Sequence, residues 1–520
     1  MIATSPWPSL APYPRRNLAH YLGDAAQQFP EKVAFIDPDG REYTFARMWK
    51  DSRRFARFLQ EAGIGKGQVI AILSPNCVEY VPAVHGSLLA GVTITSLNYL
   101  YREQEVAHQL QDTDAVGMLA PRNLMPVVDA ARKEVPTLRH TWAIEDIWDM
   151  IEGVSGEPEP VEIDPEKDIA LLPYSSGTTG LPKGVMLSHY SVSANVSQAI
   201  GTEITNERSV VLDFLPYFHM YGMVVFLNAC VAGGVTQIIL SRFDPELMLF
   251  LIQKHRVTDL FVVPPALLAL LNVASSKSYD TSSLRFILSA AAPLAPELAE
   301  QGKRTFGCPV FQGYGMSEAC ALTNTNPLDR IKPTTGGAPV SDTIEKVVDL
   351  DTGEELPAGE VGELLIKAPQ VMLGYWKRPD ATAETLTEDG WLRTGDICSL
   401  DEDGYVSVLD RKKEMIKYKA YQVAPAELEG ILLEHPAVLD AAVIPKRDPE
   451  AGEIPKAFVV LRPDQEATKE QIMTFVAEKV APYKKIRVME FVQSIPKTLS
   501  GKILRRELIQ QERERSSETS

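Results

Sequence analysis

A chain of 520 residues, 45% hydrophobic and 23% charged, has length for three or four globular units and too much apolar character for disorder. Its 52 basic and 69 acidic residues leave a net charge of −17, which argues against a general role on nucleic acid, where a cationic footprint is needed. From Asp410 to Ser520 the count is 20 basic to 18 acidic, a net of +2, so the last fifth is the part better suited to anions.

Thr44 is placed to cap a helix running to Ala62, with Met48, Phe55 and Leu59 on one face and Gly63 just past its end. Val69–Leu73, between Gly67 and Pro75, reads as a strand buried on both faces. A helix over Val78–Leu89 and a strand over Val92–Thr95 repeat the rhythm, which implies parallel sheets covered by helices, with ligands at the carboxyl ends of the strands. The length suggests two such sheets. The apolar stretches Val224–Leu240 and Leu260–Ala274 are broken by Asn228, Gly233, Gly234 and Gln237, or by Pro264 and Pro265, so neither reads as a membrane span. From Gly336 to Leu409 short β-type runs (Glu363–Lys367, Val371–Tyr375, Ile397–Val408) alternate with Gly and Pro, and Asp403-Gly404 reads as a hairpin turn. A small barrel or meander is expected there. Asp410–Lys419 reads as an exposed charged linker, followed by an α+β segment of roughly 100 residues whose polar tail, Gln510–Ser520, is expected to fray.

The five cysteines (Cys77, Cys230, Cys308, Cys320, Cys398) are scattered and show no metal spacing, as expected of buried thiols in a reducing compartment. The first residues, rich in Pro6, Pro8, Pro12 and Pro14, lack the order of a signal peptide, and Glu518-Thr519-Ser520 is not a peroxisomal Ser-Lys-Leu. A soluble cytoplasmic protein without a membrane span, monomeric or homodimeric, is the expectation.

The strongest local signal follows the apolar run Ile169–Pro173: Tyr174-Ser175-Ser176-Gly177-Thr178-Thr179-Gly180-Leu181-Pro182-Lys183-Gly184. A loop dense in backbone N–H groups and hydroxyls, with one lysine, is equipped to hold phosphates. It is not a Walker A loop, since Pro182 precedes and Gly184 follows the lysine.

This loop resembles the phosphate-binding signature of the adenylate-forming superfamily of acyl-CoA synthetases, peptide-synthetase adenylation domains and beetle luciferases, and within it the 4-coumarate–CoA ligase-like enzymes. Four more segments resemble that family's motifs in the same order: Gln312-Gly313-Tyr314-Gly315-Met316-Ser317-Glu318, Gly390–Asp396, Asp410-Arg411-Lys412-Lys413-Glu414, and Pro496–Lys502. The resemblance implies an α/β fold: a large N-terminal domain (1–409) of two doubly wound sheets (about 1–165 and 166–330) and a small β-barrel (331–409), a hinge at 410–419, and a mobile α+β C-terminal domain (420–520).

It also implies roles. Lys183 with Ser175, Ser176, Gly177, Thr178, Thr179 and Gly180 would hold the β- and γ-phosphates of ATP, and Glu318 would take Mg²⁺. Gln312, Gly313, Tyr314, Gly315 and Ser317 would form the nucleotide site, with adenine on the Tyr314 face, Asp396 accepting from the ribose hydroxyls and Arg411 beside it. Lys502 would swing in to bond carboxylate and α-phosphate oxygens, about a hinge at Lys413. For the second step, attack by CoA, Lys417 and Gln422 would contact the adenylate, while Lys419 and Ala420 would lie along the CoA path. The family usually has glycine where this chain has Ala420, so a methyl there either slows CoA attack or is tolerated; tolerance is the expectation. His219, in Leu215–Gly222, would sit at the junction of acyl group and CoA tunnel, whereas His189 reads as a helix-start residue. The acyl pocket would be lined by Tyr221, Val225, Leu288, Ala290, Ala291, Gly313, Gly315 and Leu322, with Ala290 where relatives commonly have glycine. That lining favours a hydrophobic acid, medium- or long-chain fatty or aryl.

The expected activity is therefore ATP-dependent acyl-CoA formation through an acyl-AMP, with ATP, CoA and Mg²⁺ as partners and no nucleic acid. A luciferase-like monooxygenase, a stand-alone enzyme loading a carrier protein, and a degenerate nucleotide-binding protein are the rival readings.

Overall fold

The computed structural model describes the chain except residues 176–181, 412–413, 420, 449–450, 464, 499–500 and 519–520. The helix Phe45–Glu61 begins where Thr44 Oγ1 accepts the Arg47 N–H at 3.2 Å, and it ends before Gly63, whose φ of +73° turns the chain. All five residues of Val69–Leu73 are buried, and the strand pairs in parallel with Thr93–Leu97 on one side and Gly117–Ala120 on the other.

That strand belongs to an eight-stranded sheet whose main path runs Gly374–Tyr375, Lys183–Ser188, Ile169–Leu171, Thr93–Leu97, Val69–Leu73, Gly117–Ala120, His140–Ala143, with Tyr174–Ser175 pairing Lys183–Ser188 off that path. A seven-stranded sheet runs Val310–Gln312, Phe286–Ser289, Asp259–Val262, Val210–Asp213, Thr236–Ile239, Val33–Ile36, Glu42–Thr44. The two sheets do not divide at residue 165. Val33–Ile36 joins the later set by parallel pairing with Thr236–Ile239, and Lys183–Ser188 joins the earlier one by antiparallel pairing with Ile169–Leu171. One large buried cluster spans both sheets and their helices.

The third sheet is open among the described residues: Ile2–Thr4, Ile344–Val348, Gly362–Lys367, Leu392–Leu400 and Val406–Arg411, all antiparallel. Of the two forms expected, barrel or meander, the described residues form the meander, with the chain's first strand on its edge. Gly404, with φ +80°, makes the hairpin foreseen at Asp403-Gly404.

The last segment has its own sheet (Tyr421–Val423, Ile416–Tyr418, Gly452–Leu461, Val438–Asp448, Val488–Phe491) and its own apolar core, including Leu428, Leu432, Val443, Val459 and Ile472. The expectation of a frayed tail is overturned. Arg505–Glu518 is a helix, and its Glu512 is buried with Oε2 2.6 Å from the ammonium of Lys456, itself buried. Asp410 is also buried rather than part of an exposed linker; its carboxylate accepts the Ala426 N–H at 2.8 Å.

Tyr221–Cys230 is a π-helix, entered through Gly222, where a Cβ would lie 2.2 Å from the Pro216 carbonyl oxygen. Side chains take up carbonyls along it: Asn228 Nδ2 donates to Met223 at 2.8 Å, and the His85 ring to Leu227 at 3.0 Å. No described helix is long and apolar enough to cross a membrane.

Candidate active site

Tyr174–Ser175 and Lys183–Ser188, on either side of the phosphate-loop sequence, pair antiparallel with Ser175 opposite Lys183. Ser176, Gly177, Thr178, Thr179 and Gly180 lie outside the described residues; Ser175 and Lys183 stand at the loop's two ends. The Lys183 ammonium sits 5.1 Å from the centre of the Tyr375 ring. The hydroxyl of that same tyrosine donates to Glu318 Oε1 at 2.9 Å. Sequence reasoning placed Gly374-Tyr375 in a strand but gave no signal that it would pair with Val185 and Met186, beside the phosphate loop.

Glu318 is nearly buried, on the short turn Ser317–Ala319, and its carbonyl accepts the Met372 N–H at 2.9 Å. No group of three metal-ligating side chains exists among the described residues. One carboxylate beside a phosphate loop nevertheless fits Mg²⁺, which is commonly held by one or two carboxylates plus phosphate oxygens and water.

The strand Leu392–Leu400 sets Asp396 opposite Arg411 of Val406–Arg411. Arg411 Nε lies 3.1 Å from Asp396 Oδ1, and the Tyr314 hydroxyl donates to Oδ2 at 2.6 Å. Burial raises the pKa of the Asp396 carboxyl, and Arg411 and the Tyr314 bond oppose that rise. Burial also pushes the Tyr314 phenol well up, keeping it a donor. Each carboxylate oxygen retains a further lone pair, which a ribose hydroxyl can use.

Tyr314 is held by Asn324, with N–H to carbonyl 3.0 Å, and by tight glycines. A Cβ on Gly315 would lie 1.5 Å from the Ala321 oxygen, and one on Gly336 would lie 2.9 Å from Tyr314 Cβ. The side chain of Gln312 braces the frame: its Oε1 accepts the Leu294 N–H at 2.8 Å, and its Nε2 donates to Pro333 at 3.2 Å. Ser317 supplies the carbonyl that closes the turn onto Cys320 N–H at 3.2 Å.

Lys502 ends a tight turn in which Thr498 N–H donates to the Lys502 carbonyl at 2.8 Å and Lys502 N–H to Thr498 Oγ1 at 3.0 Å. Gly501, at φ +81°, lies against Pro265 at the start of the helix Pro264–Ala274; a Cβ there would be 2.8 Å from Pro265 Cγ. This docking brings the ammonium into the fields of Arg411, Asp396 and Glu414. Burial first, then Arg411, bring its pKa down to about 8. Burial, with Lys502 as the second cause, lowers His219 to about 4, and His219 Nδ1 accepts the Tyr221 N–H at 3.2 Å. His219 is therefore neutral at physiological pH, with its proton on Nε2.

Lys417 and Lys419 are not gathered here. Both are exposed on a hairpin, where Lys417 N–H donates to Glu453 at 2.8 Å and Lys419 carries the turn at φ +55°. Lys413, Ala420 and the side chain of Gln422 lie outside the described residues.

Around the expected acyl pocket, the Tyr221 ring lies 6.5 Å from Phe261, and its hydroxyl is buried without a partner among the described residues. Val225 follows one turn on and packs against the core. A Cβ on Gly313 would lie 3.4 Å from Leu288 Cδ2. The left-handed residue of this wall is Ala291 (φ +70°), not Ala290, so the methyl of Ala290 meets no backbone strain. Leu322 is clasped by Asn195, which bonds both its N–H and its carbonyl, at 3.0 and 2.7 Å. His189, as expected, begins a helix, and its Nδ1 accepts the Leu18 N–H at 3.1 Å.

Two family profiles match this chain: AMP-binding enzyme over residues 22–376, and AMP-binding enzyme C-terminal domain over residues 427–502. The chain belongs to the AMP-binding enzyme family. Among its relatives are a probable CoA ligase, CCL5, from Humulus lupulus (41% identical, covering 92% of this chain and 90% of the relative) and a 4-coumarate–CoA ligase from Pinus taeda (38%, 94% of each). It is an enzyme of the adenylate-forming superfamily, grouped with the 4-coumarate–CoA ligase-like members. ATP-bound MatB from Rhodopseudomonas palustris superposes with a TM-score of 0.89 at 27% identity, over 96% of this chain and 99% of that one. Apo MatB gives 0.78.

Proposed function

We propose that this protein is an AMP-forming acid–CoA ligase acting on a hydrophobic carboxylic acid. In the first step the carboxylate attacks the α-phosphorus of ATP, the bond to the bridging oxygen breaks, and pyrophosphate leaves. In the second, the CoA thiol attacks the acyl carbonyl, AMP leaves, and the thiol proton passes to solvent.

The observation that carries this reading is the position of Lys502. Two anions repel as they meet, and a cation held in a poorly hydrated site lowers that barrier far more than one in water. Asp396, Tyr314 and Arg411 form a ready frame for the adenosine, and Lys183 and Glu318 lie at the phosphate end. Mg²⁺, when bound through Glu318, neutralises phosphate charge.

The exposed hairpin of Lys417 and Lys419 supports a second lobe orientation for the CoA step, with the C-terminal unit (420–520) turning about residues near Lys413. The apolar Val225, Leu288 and Leu322 beside Tyr221 support a fatty or aryl acid over a small polar one. CoA-dependent AMP release, measured across fatty acids of increasing length and several cinnamates, tests the reading. Turnover confined to hydrophobic acids supports it, and CoA-independent release or none at all contradicts it.

A further inference from the structure

Between the phosphate lysine and the metal carboxylate stands one side chain that no motif assigned. Tyr375 presents its ring to the Lys183 ammonium at 5.1 Å and its hydroxyl to Glu318 Oε1 at 2.9 Å. Its backbone is fixed from three directions. It pairs with Val185 in the strand that leaves the phosphate loop; its N–H donates to Thr382 Oγ1 at 2.9 Å; and the next residue's N–H donates to the Gly184 carbonyl at 2.8 Å. The peptide after Lys183 and the turn bearing Glu318 are thereby tied to the same short segment, Met372–Trp376, since Met372 N–H also holds the Glu318 carbonyl.

A carboxylate on a glutamate side chain rotates freely unless something fixes its plane. An O–H donated to one oxygen does so, and it aims the other at a ligand. An ammonium over an aromatic face is held by the ring quadrupole but remains free to leave for a stronger anion.

We propose that Tyr375 is a positioning residue that couples the two halves of the phosphate site: its hydroxyl orients Glu318 toward the metal, and its ring parks Lys183 beside the triphosphate. This rests on the nucleotide reading above and adds to it the residue that makes metal and lysine act together.

Nucleotide affinity measured calorimetrically, for ATP with and without Mg²⁺ and for AMP, separates the two roles. Wild type is expected to bind ATP more tightly with Mg²⁺. Tyr375→Phe keeps the ring and loses the hydroxyl, so about tenfold of the Mg²⁺-dependent gain is expected to vanish, the worth of one hydrogen bond to a carboxylate. Its affinities for metal-free ATP and for AMP should stay unchanged. Tyr375→Leu removes the ring as well and should weaken metal-free ATP by about fivefold, as expected for loss of one cation–π contact, again sparing AMP.

A Phe variant with the full Mg²⁺ gain overturns the hydroxyl role. A Leu variant matching wild type for metal-free ATP overturns the ring role, and equal losses for ATP and AMP in both variants reduce Tyr375 to a structural residue. Should Leu fail to fold, Tyr375→Met supplies the ring-less comparison. Absence of any Mg²⁺ gain in wild type overturns the nucleotide reading itself, an outcome distinct from the other three.

Discussion

Arg411 stands directly across the antiparallel ladder from Asp396, its Nε 3.1 Å from Oδ1, while the Tyr314 hydroxyl holds the other oxygen. The aspartate side chain is 4% exposed and the arginine 37%, so the carboxylate depends on a partner that is itself partly in water.

Removing that partner should be costly but not catastrophic. A fully buried orphaned charge costs about 3–5 kcal/mol, and the exposure of Arg411 reduces this through solvent screening. For Arg411→Gln we expect about 1–2 kcal/mol of lost stability, read by denaturant unfolding, together with a KM for ATP raised about tenfold. An unchanged KM for ATP contradicts the role given to the pair.

The lowered pKa of Lys502 has two consequences of opposite sign. Adenylation needs the ammonium, so the first half-reaction should decline as pH rises above about 8. Stability moves the other way. The folded value lies below the unfolded one, near 10.5, so below pH 8 the native state carries the full cost of the buried charge. Between those two values the unfolded chain binds more protons, and this contribution to stability rises with pH. Comparing pH profiles of wild type and Lys502→Met, by exchange rate and by unfolding, checks both trends; identical profiles contradict them.

Gly501 carries both a left-handed φ and the contact with Pro265. Gly501→Ala adds strain and a methyl that must displace the proline ring, so the docked orientation of the last lobe is disfavoured. Adenylation should fall by about tenfold, while CoA attack on preformed acyl-AMP, which we assign to a second orientation, should change little. Equal losses in the two half-reactions contradict the docking role.

Much of this site was legible in the sequence because it is local. A Gly/Ser/Thr loop with a lysine after a strand, a Thr44 cap, or a Pro–Lys502 run carries its meaning within about ten residues. What escaped was non-local. Tyr375 acquires its function only by pairing with Val185, 190 positions earlier. The π-helix at Tyr221–Cys230 depends on His85 reaching the Leu227 carbonyl. The tail looked too polar to hold, yet Glu512 finds the buried ammonium of Lys456, which no periodicity in the tail itself announces. The interleaving of the two large sheets escaped for the same reason, since strand composition does not record which neighbour a strand will choose.

The claim on which the account turns is that Lys502 supplies the cation for the first half-reaction. ATP–pyrophosphate exchange, measured for wild type and Lys502→Ala with a hydrophobic acid that wild type accepts, tests it most directly. Exchange should fall at least a hundredfold in the variant while ATP affinity stays within about threefold of wild type. Exchange at the wild-type rate in Lys502→Ala contradicts the account.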